Sequence, residues 1–247
     1  MLFRRKPKPD VQSSLQFRLF DKITVEVPPS FASKKRVINA LKQSRYEAEE
    51  ARALQAHLTA DDRLLELGSG IGVLGALAAQ TLPATNITCV EANEALLPVI
   101  RTNLDRNGAS AATLLHGAVC SDPAASEIDF HIGPKFTAAS LSAEGRGSYQ
   151  THRVPALRFA DVLDQAKPTF IMCDVEGAER DLIETKLPAS VRFLCLELHL
   201  VWLGDLGIQQ FFEAMHSQGF AYHPKGSSGG IVCFKRITDD ETIAGGL

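Results

Sequence analysis

The sequence lacks a long apolar run, and this absence excludes a class of protein. Within its 247 residues, no segment approaches the roughly 18 consecutive apolar residues that a membrane-spanning helix needs. No secretory apolar region follows the basic cluster Arg4-Arg5-Lys6-Pro7-Lys8, which we interpret as a solvated tail rather than an anchor. We therefore expect a cytoplasmic protein that has no membrane partner.

Excess positive charge and paired cysteines are also missing. The formal net charge is -3 at pH 7, which does not suit a protein whose main task is to neutralise nucleic-acid phosphates. The five cysteines form no Cys-x-x-Cys pair and no Cys/His cluster with zinc spacing. We expect no nucleic-acid partner, and we interpret the cysteines as reduced packing residues.

Strand-like apolar segments alternate with segments of helical period through most of the chain. We predict strands near 63–67, 87–91, 112–116, 169–173 and 191–198. This alternation favours parallel pairing, because each crossover between parallel strands contains a helix. The expected fold class is α/β, a doubly wound and mostly parallel seven-stranded sheet.

Further elements are predicted around this sheet. The first is a small N-terminal hairpin of 15–19 and 23–27, followed by a helix over 33–58. Helices are expected at 74–79, after an Asn93 cap up to Gly108, and at 208–218, and the chain is expected to finish in an antiparallel hairpin of 220–222 and 231–234. The Ser- and Gly-rich segment 137–152 is interpreted as a surface loop, and its part over 137–149 is predicted to act as a lid. We predict a tail and hairpin cover over 1–30, one domain over 31–238 and a tail over 239–247.

A glycine-rich turn carries the strongest local signal. Leu64-Leu65-Glu66-Leu67-Gly68-Ser69-Gly70-Ile71-Gly72 combines an apolar strand with three alternating glycines that open a helix. Glycines allow a tight turn and a close approach of a ligand to the backbone. The same segment also satisfies a dinucleotide fingerprint, so the loop by itself leaves two nucleotide cofactors open.

The charges beside the glycine loop separate these two cofactors. Glu66 would repel a pyrophosphate, but it would attract the amino and sulfonium groups of S-adenosylmethionine. Glu91, 25 residues later at the next strand end, could accept hydrogen bonds from ribose hydroxyls in either cofactor. The acid at position 66 therefore favours the methyl donor.

Polar residues also follow the other predicted strands. Because ligands of open α/β sheets bind beyond the carboxyl ends of the strands, these residues form a candidate site. They are Glu66, Glu91, His116, Asp174, Glu197 and His199. His116 fits a solvated loop residue as well as a functional one, and Glu176 and Glu179 fit structural roles near a helix start as well as catalytic ones.

The sequence resembles the FkbM-type methyltransferases, within the class I S-adenosylmethionine-dependent enzymes. The resemblance runs over about residues 45–200, through Arg45-Tyr46-Glu47, the glycine loop, Val90-Glu91-Ala92-Asn93 and His116-Gly117-Ala118-Val119. Its most specific part is Cys173-Asp174-Val175-Glu176-Gly177-Ala178-Glu179. The chain departs from the usual family pattern at Glu66, at Ser69-Gly70 and at Met172, and these differences leave the subfamily and the substrate open.

The resemblance implies an O-methyltransferase that uses S-adenosyl-L-methionine and acts on a hydroxyl of a small molecule or sugar. The predicted catalytic residues are Asp174, His199 and Glu176. The predicted cofactor-binding residues are Glu47, Glu66, Gly68, Ser69, Gly70, Gly72, Glu91, Ala92, His116, Gly117, Ala118 and Asp174. No metal is expected, because His199 in the trio of Asp174, Glu197 and His199 suits a hard cation poorly.

Two alternatives to this function stay open. A nicotinamide-dependent oxidoreductase shares the first strand–helix–strand unit, but it does not explain Glu66 or the antiparallel C-terminal hairpin. A non-catalytic protein that binds S-adenosylmethionine would keep the same fold and pocket.

Overall fold

The computed structural model describes residues 14–122, 124–132, 139–140, 150–175 and 179–238. The helices are α1 (Lys35–Lys42), α2 (Ala48–His57), α3 (Val73–Ala78), α4 (Leu97–Arg106), α5 (Phe159–Ala166), α6 (Glu179–Glu184) and α7 (Leu200–Ser217). The strands are β1 (Leu15–Leu19), β2 (Ile23–Val27), β3 (Leu64–Leu67), β4 (Ile87–Glu91), β5 (Thr113–His116), β6 (Ala118–Cys120), β7 (Glu127–Ile132), β8 (Ala139–Ser140), β9 (Gln150–Arg158), β10 (Phe170–Cys173), β11 (Phe193–Glu197), β12 (Phe220–Tyr222) and β13 (Ile231–Arg236). Short 3-10 helices cover 29–33, 84–86 and 94–96. Among the described residues, no helix is both long and apolar enough to cross a bilayer.

A seven-stranded sheet forms the centre of the molecule, in the order β12-β13-β11-β10-β3-β4-β5. The five strands from β11 to β5 pair in parallel, whereas β13 pairs antiparallel with β11 and with β12. Every residue of β3, β4 and β10 is buried, as expected for strands that are covered on both faces. The predicted doubly wound α/β fold with an antiparallel C-terminal hairpin is confirmed.

Alternate residues of the sheet face two separate apolar cores. Leu64, Cys89 and Met172 belong to a core that also contains the N-terminal hairpin and residues of α1 to α4. Leu65, Val90 and Ile171 belong to a second core with α5, α6 and α7. The period-2 alternation of side chains along a strand is what divides the apolar residues between the two faces.

The N-terminal hairpin of β1 and β2 is confirmed, and α4 anchors it. The amide side chain of Asn103, which is fully buried, accepts a hydrogen bond from Glu26 N at 2.6 Å and donates one to Glu26 O at 3.0 Å. Asn107 bonds Thr24 in the same manner, at 3.0 and 2.9 Å. These hydrogen bonds give partners to the backbone N–H and C=O groups of Thr24 and Glu26, and they hold the hairpin over the first core.

Two helix predictions need correction. The single helix expected over 33–58 is two helices, because Ser44 and Glu47 between them adopt positive φ angles of 50° each. Helix α7 begins at Leu200, eight residues before the predicted start, and Gly204 breaks its first turn with φ 64° and ψ 175°. The apolar stripe predicted over 33–58 runs through Ser44 and Glu47, so periodicity did not reveal the break between α1 and α2.

A four-stranded sheet beside the central one was not predicted from the sequence. Strands β6, β9, β7 and β8 form a four-stranded sheet between β5 and α5. The segment 137–152 was expected to be a loop, but residues 139–140 and 150–152 belong to strands, so the prediction is wrong there. The remaining residues of the predicted lid, 137–138 and 141–149, lie outside the described part of the chain. Strand β9 is mostly exposed and lacks the apolar run by which the central strands were recognised.

Candidate functional site

Three glycines shape the loop after β3. Gly68, Gly70 and Gly72 have backbone φ angles of 81°, 56° and 79°, which residues other than glycine rarely adopt. A Cβ atom at Gly68 would lie 1.9 Å from the carbonyl oxygen of Asp174, so the loop can approach the end of β10 only because residue 68 is glycine. The Gly72 amide donates to Ser69 O at 2.6 Å and closes the turn before α3.

Glu91 connects the end of β4 to this loop. Its Oε2 atom accepts a hydrogen bond from Gly70 N at 2.9 Å, and its Oε1 atom accepts one from Asn93 N at 2.8 Å. Burial raises the pKa of Glu91 to about 7, although these backbone donors act in the opposite direction. A carboxylate oxygen can accept more than one hydrogen bond, so Glu91 keeps acceptor capacity for a ligand beside the glycine loop.

Glu66 lies in the middle of β3 and faces a pocket at the edge of the parallel strands. It is 1% exposed, and its Oε2 atom accepts a hydrogen bond from the Cys89 thiol at 3.0 Å. Its Oε1 atom is buried and has no hydrogen-bond partner among the described residues. Burial raises the pKa of Glu66 to about 7. An unsatisfied buried carboxylate oxygen is costly in the free protein, and a donor from a bound ligand would satisfy it.

Glu47 adds a second orphaned oxygen to this region. It has φ 50° as the residue before α2, and its Oε2 atom is buried with no hydrogen-bond partner in the described part of the chain. Burial raises the pKa of Glu47 well above its usual value, and the charges of Glu66, Glu50 and Asp174 add to the shift. Burial also raises the pKa of the neighbouring Tyr46, whose hydroxyl lies at the glycine loop.

The pocket formed by these elements is acidic. The described residues that line it are Glu47, Glu50, Glu66, Leu67, Gly68, Leu74, Met172, Cys173, Asp174, Cys195 and Leu196. Four of these residues carry carboxyl groups and none is a lysine or arginine. Carboxyl groups that repel one another and lack a cationic partner among the lining residues favour a positively charged ligand.

A second group of charged side chains lies beside Asp174. The Nδ1 atom of His199 is 2.7 Å from Oε1 of Glu179, and its Nε2 atom is 3.8 Å from Oδ1 of Asp174 and 3.9 Å from Oε1 of Glu197. Burial opposes a charge on the ring, but the hydrogen bond to Glu179 and the three carboxylates raise the pKa of His199 to about 9.

The geometry of this second group bears on metal binding. Asp174, Glu197 and His199 each place one possible ligand atom within 4.8 Å of the others. A histidine ring whose two nitrogens both face carboxylates is suited to carry two protons, whereas a metal ligand needs a free lone pair. That this group works without a metal stays a prediction from the sequence.

The structure brings most of the predicted site residues together. Glu47, Glu66, Gly68 and Asp174 line one pocket, and Gly70 bonds Glu91 beside it. Ser69 is fully buried and its hydroxyl donates to Val90 O at 3.3 Å, so it holds the loop on β4. Glu176 lies outside the described residues.

The segment after β5 has a different environment. The Nε2 atom of His116 is 3.2 Å from the carbonyl oxygen of Ala92, and Gly117 N donates to Glu91 O at 3.0 Å. Ala118 is buried and starts β6, and a Cβ atom at Gly117 would lie 2.6 Å from Pro155 O. None of the three residues is among those that line the acidic pocket.

Glu50 and Tyr46 are polar residues of the site that were not predicted from the sequence. Glu50 lines the pocket one helical turn after Glu47, and Tyr46 lies against the glycine loop. The spacing of three residues between two glutamates was an available signal, because such residues share a helix face. The break between α1 and α2, which turns this face towards β3, gave no signal in the hydrophobic pattern.

Comparison with known protein families gives a match to the methyltransferase small domain over residues 49–136. The matched segment contains the glycine loop, Glu66 and Glu91, and it ends before Asp174 and His199. The match supports S-adenosylmethionine as the cofactor and a methyltransferase as the class of enzyme. The FkbM-type subfamily stays a prediction from the sequence.

Solved structures with similar backbones are remote in sequence. A precorrin-6y C5,15-methyltransferase from Geobacter metallireducens is 15% identical to this chain, with a TM-score of 0.41. The superposed part covers 76% of this chain and 85% of that protein. A ribosomal protein L11 methylase from Lactobacillus delbrueckii is 11% identical, with 78% and 80% covered and a TM-score of 0.43. A SAM-dependent O-methyltransferase from Thermotoga maritima is 10% identical, with 87% and 74% covered and a TM-score of 0.45. These similarities do not identify the acceptor. A search of curated proteins found no match.

Proposed function

We propose that the protein transfers a methyl group from S-adenosylmethionine to a hydroxyl group of a small molecule or sugar. The observation that carries the proposal is the acidic pocket beside the glycine loop, in which Glu66 Oε1 and Glu47 Oε2 are buried with no hydrogen-bond partner among the residues that the structure describes. When bound, S-adenosylmethionine supplies a reactive methyl group on a positively charged sulfur. The pocket offers carboxylates to a ligand with that charge.

The cofactor-binding roles follow from the positions of the carboxylates. Glu91 would accept hydrogen bonds from ribose hydroxyls, because it lies at the end of β4 next to Gly70. Glu66, Glu47 and Asp174 would face the cationic end of the cofactor, because all three line the pocket. The glycine loop would let the ligand approach the backbone without meeting side chains.

The acceptor would lie on the side of the pocket where Asp174 adjoins His199. Methyl transfer to a hydroxyl needs the acceptor oxygen in line with the methyl carbon, and it needs removal of the hydroxyl proton. Asp174 and His199 are the described residues suited to position or deprotonate that hydroxyl, with Glu176 as a third candidate from the sequence. We expect no divalent metal in the reaction, and the net charge of -3 favours a small acceptor over a nucleic acid.

Calorimetric titration with S-adenosylmethionine, S-adenosylhomocysteine and NAD tests the cofactor assignment. We expect micromolar dissociation constants for the first two and no saturable binding of NAD, because the orphaned Glu66 carboxyl would repel a pyrophosphate. Saturable NAD binding without a response to S-adenosylmethionine would contradict the proposal and favour an oxidoreductase. Tight cofactor binding without turnover of any hydroxyl acceptor would indicate a non-catalytic binding protein.

The variant Glu91→Ala tests the ribose contact. Loss of hydrogen bonds to a charged group should weaken S-adenosylmethionine binding by about 1.5–3 kcal/mol, roughly 10- to 150-fold. The matched control is Glu94→Ala, which removes an exposed carboxyl three residues later and should leave the dissociation constant unchanged. Equal affinity of folded Glu91→Ala and wild-type protein would show that the ribose is held elsewhere.

A further inference from the structure

His199 is surrounded by carboxylates that come from three different elements. Glu179 is the first residue of α6, Asp174 directly follows β10, and Glu197 is the last residue of β11. His199 itself precedes α7, and its side chain is 16% exposed. The ring is therefore held where three elements meet, at the edge of the acidic pocket that Asp174 lines.

The contact with Glu179 differs from the other two contacts. Its distance of 2.7 Å is that of a charge-assisted hydrogen bond, whereas Asp174 and Glu197 lie at 3.8 and 3.9 Å from the opposite nitrogen. Glu179 is fully buried and does not line the acidic pocket. Among its described contacts, the one that reaches the edge of the pocket is the hydrogen bond to the His199 ring.

The short contact fixes the orientation of the ring. With Nδ1–H donated to Glu179, a flipped ring would lose the hydrogen bond and leave a buried carboxylate without it, which is costly. The fixed orientation turns Nε2 towards Asp174 and Glu197, and two carboxylates near one nitrogen favour a proton on it. The raised pKa of His199, about 9, agrees with this geometry.

We propose that Glu179 is a positioning residue that holds His199 with both ring nitrogens protonated, so that His199 places a positive charge 3.8 Å from Asp174. A doubly protonated ring has no lone pair and cannot remove a proton from the acceptor. The second part of the inference rests on the proposed function. In it, the acceptor O–H bond breaks, the proton passes to the Asp174 carboxylate, and the electron pair stays on the acceptor oxygen.

The arrangement gives Asp174 and His199 different roles, whereas the sequence analysis predicted both only as catalytic residues. In a hydrolase-type triad, a carboxylate orients a neutral histidine that then acts as the base. Here the additional carboxylates on the far side of the ring stabilise the charged form. His199 thus acts as a fixed cation beside Asp174, and Asp174 is the proton acceptor that the proposal assigns among the described residues.

Nuclear magnetic resonance of the histidine rings tests this inference on the full chain without any acceptor. The long-range ¹H–¹⁵N spectrum of wild-type protein should show both nitrogens of His199 protonated at pH 7.5, with a titration midpoint near 9. The His199→Gln variant assigns the signal. In Glu179→Gln, which keeps the size and the acceptor oxygen but removes the charge, the midpoint should fall by at least one unit.

The control variant is Glu184→Gln, on the same helix α6, whose carboxyl is exposed and accepts a hydrogen bond from Ser121 at 2.6 Å. It should leave the His199 midpoint unchanged. S-adenosylmethionine affinity, measured by calorimetry, should be equal in wild-type and Glu184→Gln protein, because Glu184 is exposed and is not among the residues that line the pocket.

The possible results separate this inference from the proposed function. A neutral His199 at pH 7.5 in wild-type protein would overturn the inference, even if Glu179→Gln failed to fold. An unchanged midpoint in folded Glu179→Gln would also overturn it. The absence of S-adenosylmethionine binding would instead overturn the proposed function and leave the ring geometry as measured.

Discussion

At the residue scale, the buried carboxyl groups of Glu66 and Glu91 make the region beside the glycine loop sensitive to pH. Burial raises the pKa of each to about 7, so both are partly protonated in the free protein at neutral pH. The folded chain therefore binds these protons more tightly than the unfolded chain, and the groups cost stability as the pH rises from about 4.5 to 7. A cation bound in the pocket would offset this cost.

Affinity for S-adenosylmethionine should rise with pH. A cation favours ionised Glu66, so binding must release the proton that Glu66 holds in the free protein. For one group with a pKa near 7, the affinity should increase roughly fivefold to tenfold between pH 6 and 7.5. Calorimetry at several pH values, in buffers of different ionisation enthalpy, measures both the affinity and the protons released.

The variant Glu66→Gln should bind more weakly at pH 7.5 and should show a flatter rise. The variant Glu49→Gln is the control, since Glu49 is an exposed residue of the same acidic helix α2 and does not line the pocket. An affinity that falls between pH 6 and 7.5, or a full rise that persists in Glu66→Gln, would be evidence against a cation next to Glu66.

At the element scale, Asp62 connects the starts of β3, β10 and β11. It is 2% exposed, accepts hydrogen bonds from Thr59 N at 2.8 Å and Thr169 Oγ1 at 2.6 Å, and forms an ion pair with Arg192. Arg192 also donates to the carbonyl of His57 at the end of α2. The network fixes the amino ends of the strands, opposite the edge where the pocket lies.

Asp62→Asn should lower the free energy of unfolding by about 2–3 kcal/mol at pH 7, because it leaves the charged partner Arg192 without its carboxylate. Burial opposes ionisation of Asp62, but Arg192 and the other donors lower its pKa below the usual value. The stabilisation is therefore present above about pH 4 and is lost as the pH falls further. Urea unfolding of both proteins at pH 7 and near pH 3 measures the difference.

Asp21→Asn provides the matched comparison for the network. Asp21 lies 3.9 Å from Arg18 in a fully exposed pair, where solvent screens the charges. This variant should unfold like the wild-type protein at both pH values. If Asp62→Asn were equally neutral at pH 7, the Asp62 network would not be what holds the strand starts together.

At the scale of the whole molecule, the pocket depends on elements that are distant in sequence. It takes residues from α2, β3, α3, β10 and β11, and these come together only when the sheet is complete. A ligand of this pocket binds the native state and not the unfolded chain. Binding must therefore stabilise the whole domain by mass action.

S-adenosylmethionine at 100 times its dissociation constant should raise the free energy of unfolding by about 2.7 kcal/mol. For a chain of this size, the corresponding increase in Tm is about 5–10 °C. Differential scanning fluorimetry with S-adenosylmethionine and with NAD at equal concentration measures the effect. A shift with NAD alone, or no shift with saturating S-adenosylmethionine, would contradict the assignment of the pocket.

The central sheet could be predicted from the sequence because its signals are local. Continuous apolar runs indicate strands covered on both faces, and the helical segments between them require parallel pairing. The glycine loop was equally visible, since the positive φ angles of Gly68, Gly70 and Gly72 need that residue type. The second sheet was missed because most residues of β9 are exposed and carry no apolar pattern.

The sequence by itself determined the order of the elements, the glycine loop and which strand ends carry acids. Only the tertiary structure decided which of those acids meet. The left-handed backbone at Glu47 turns α2 so that Glu47 and Glu50 reach Glu66 across the pocket. In the same way, α6 brings Glu179 within 2.7 Å of His199, 20 residues away. Side-chain proximity and burial, which set the pKa of each group, depend on long-range packing that no local pattern encodes.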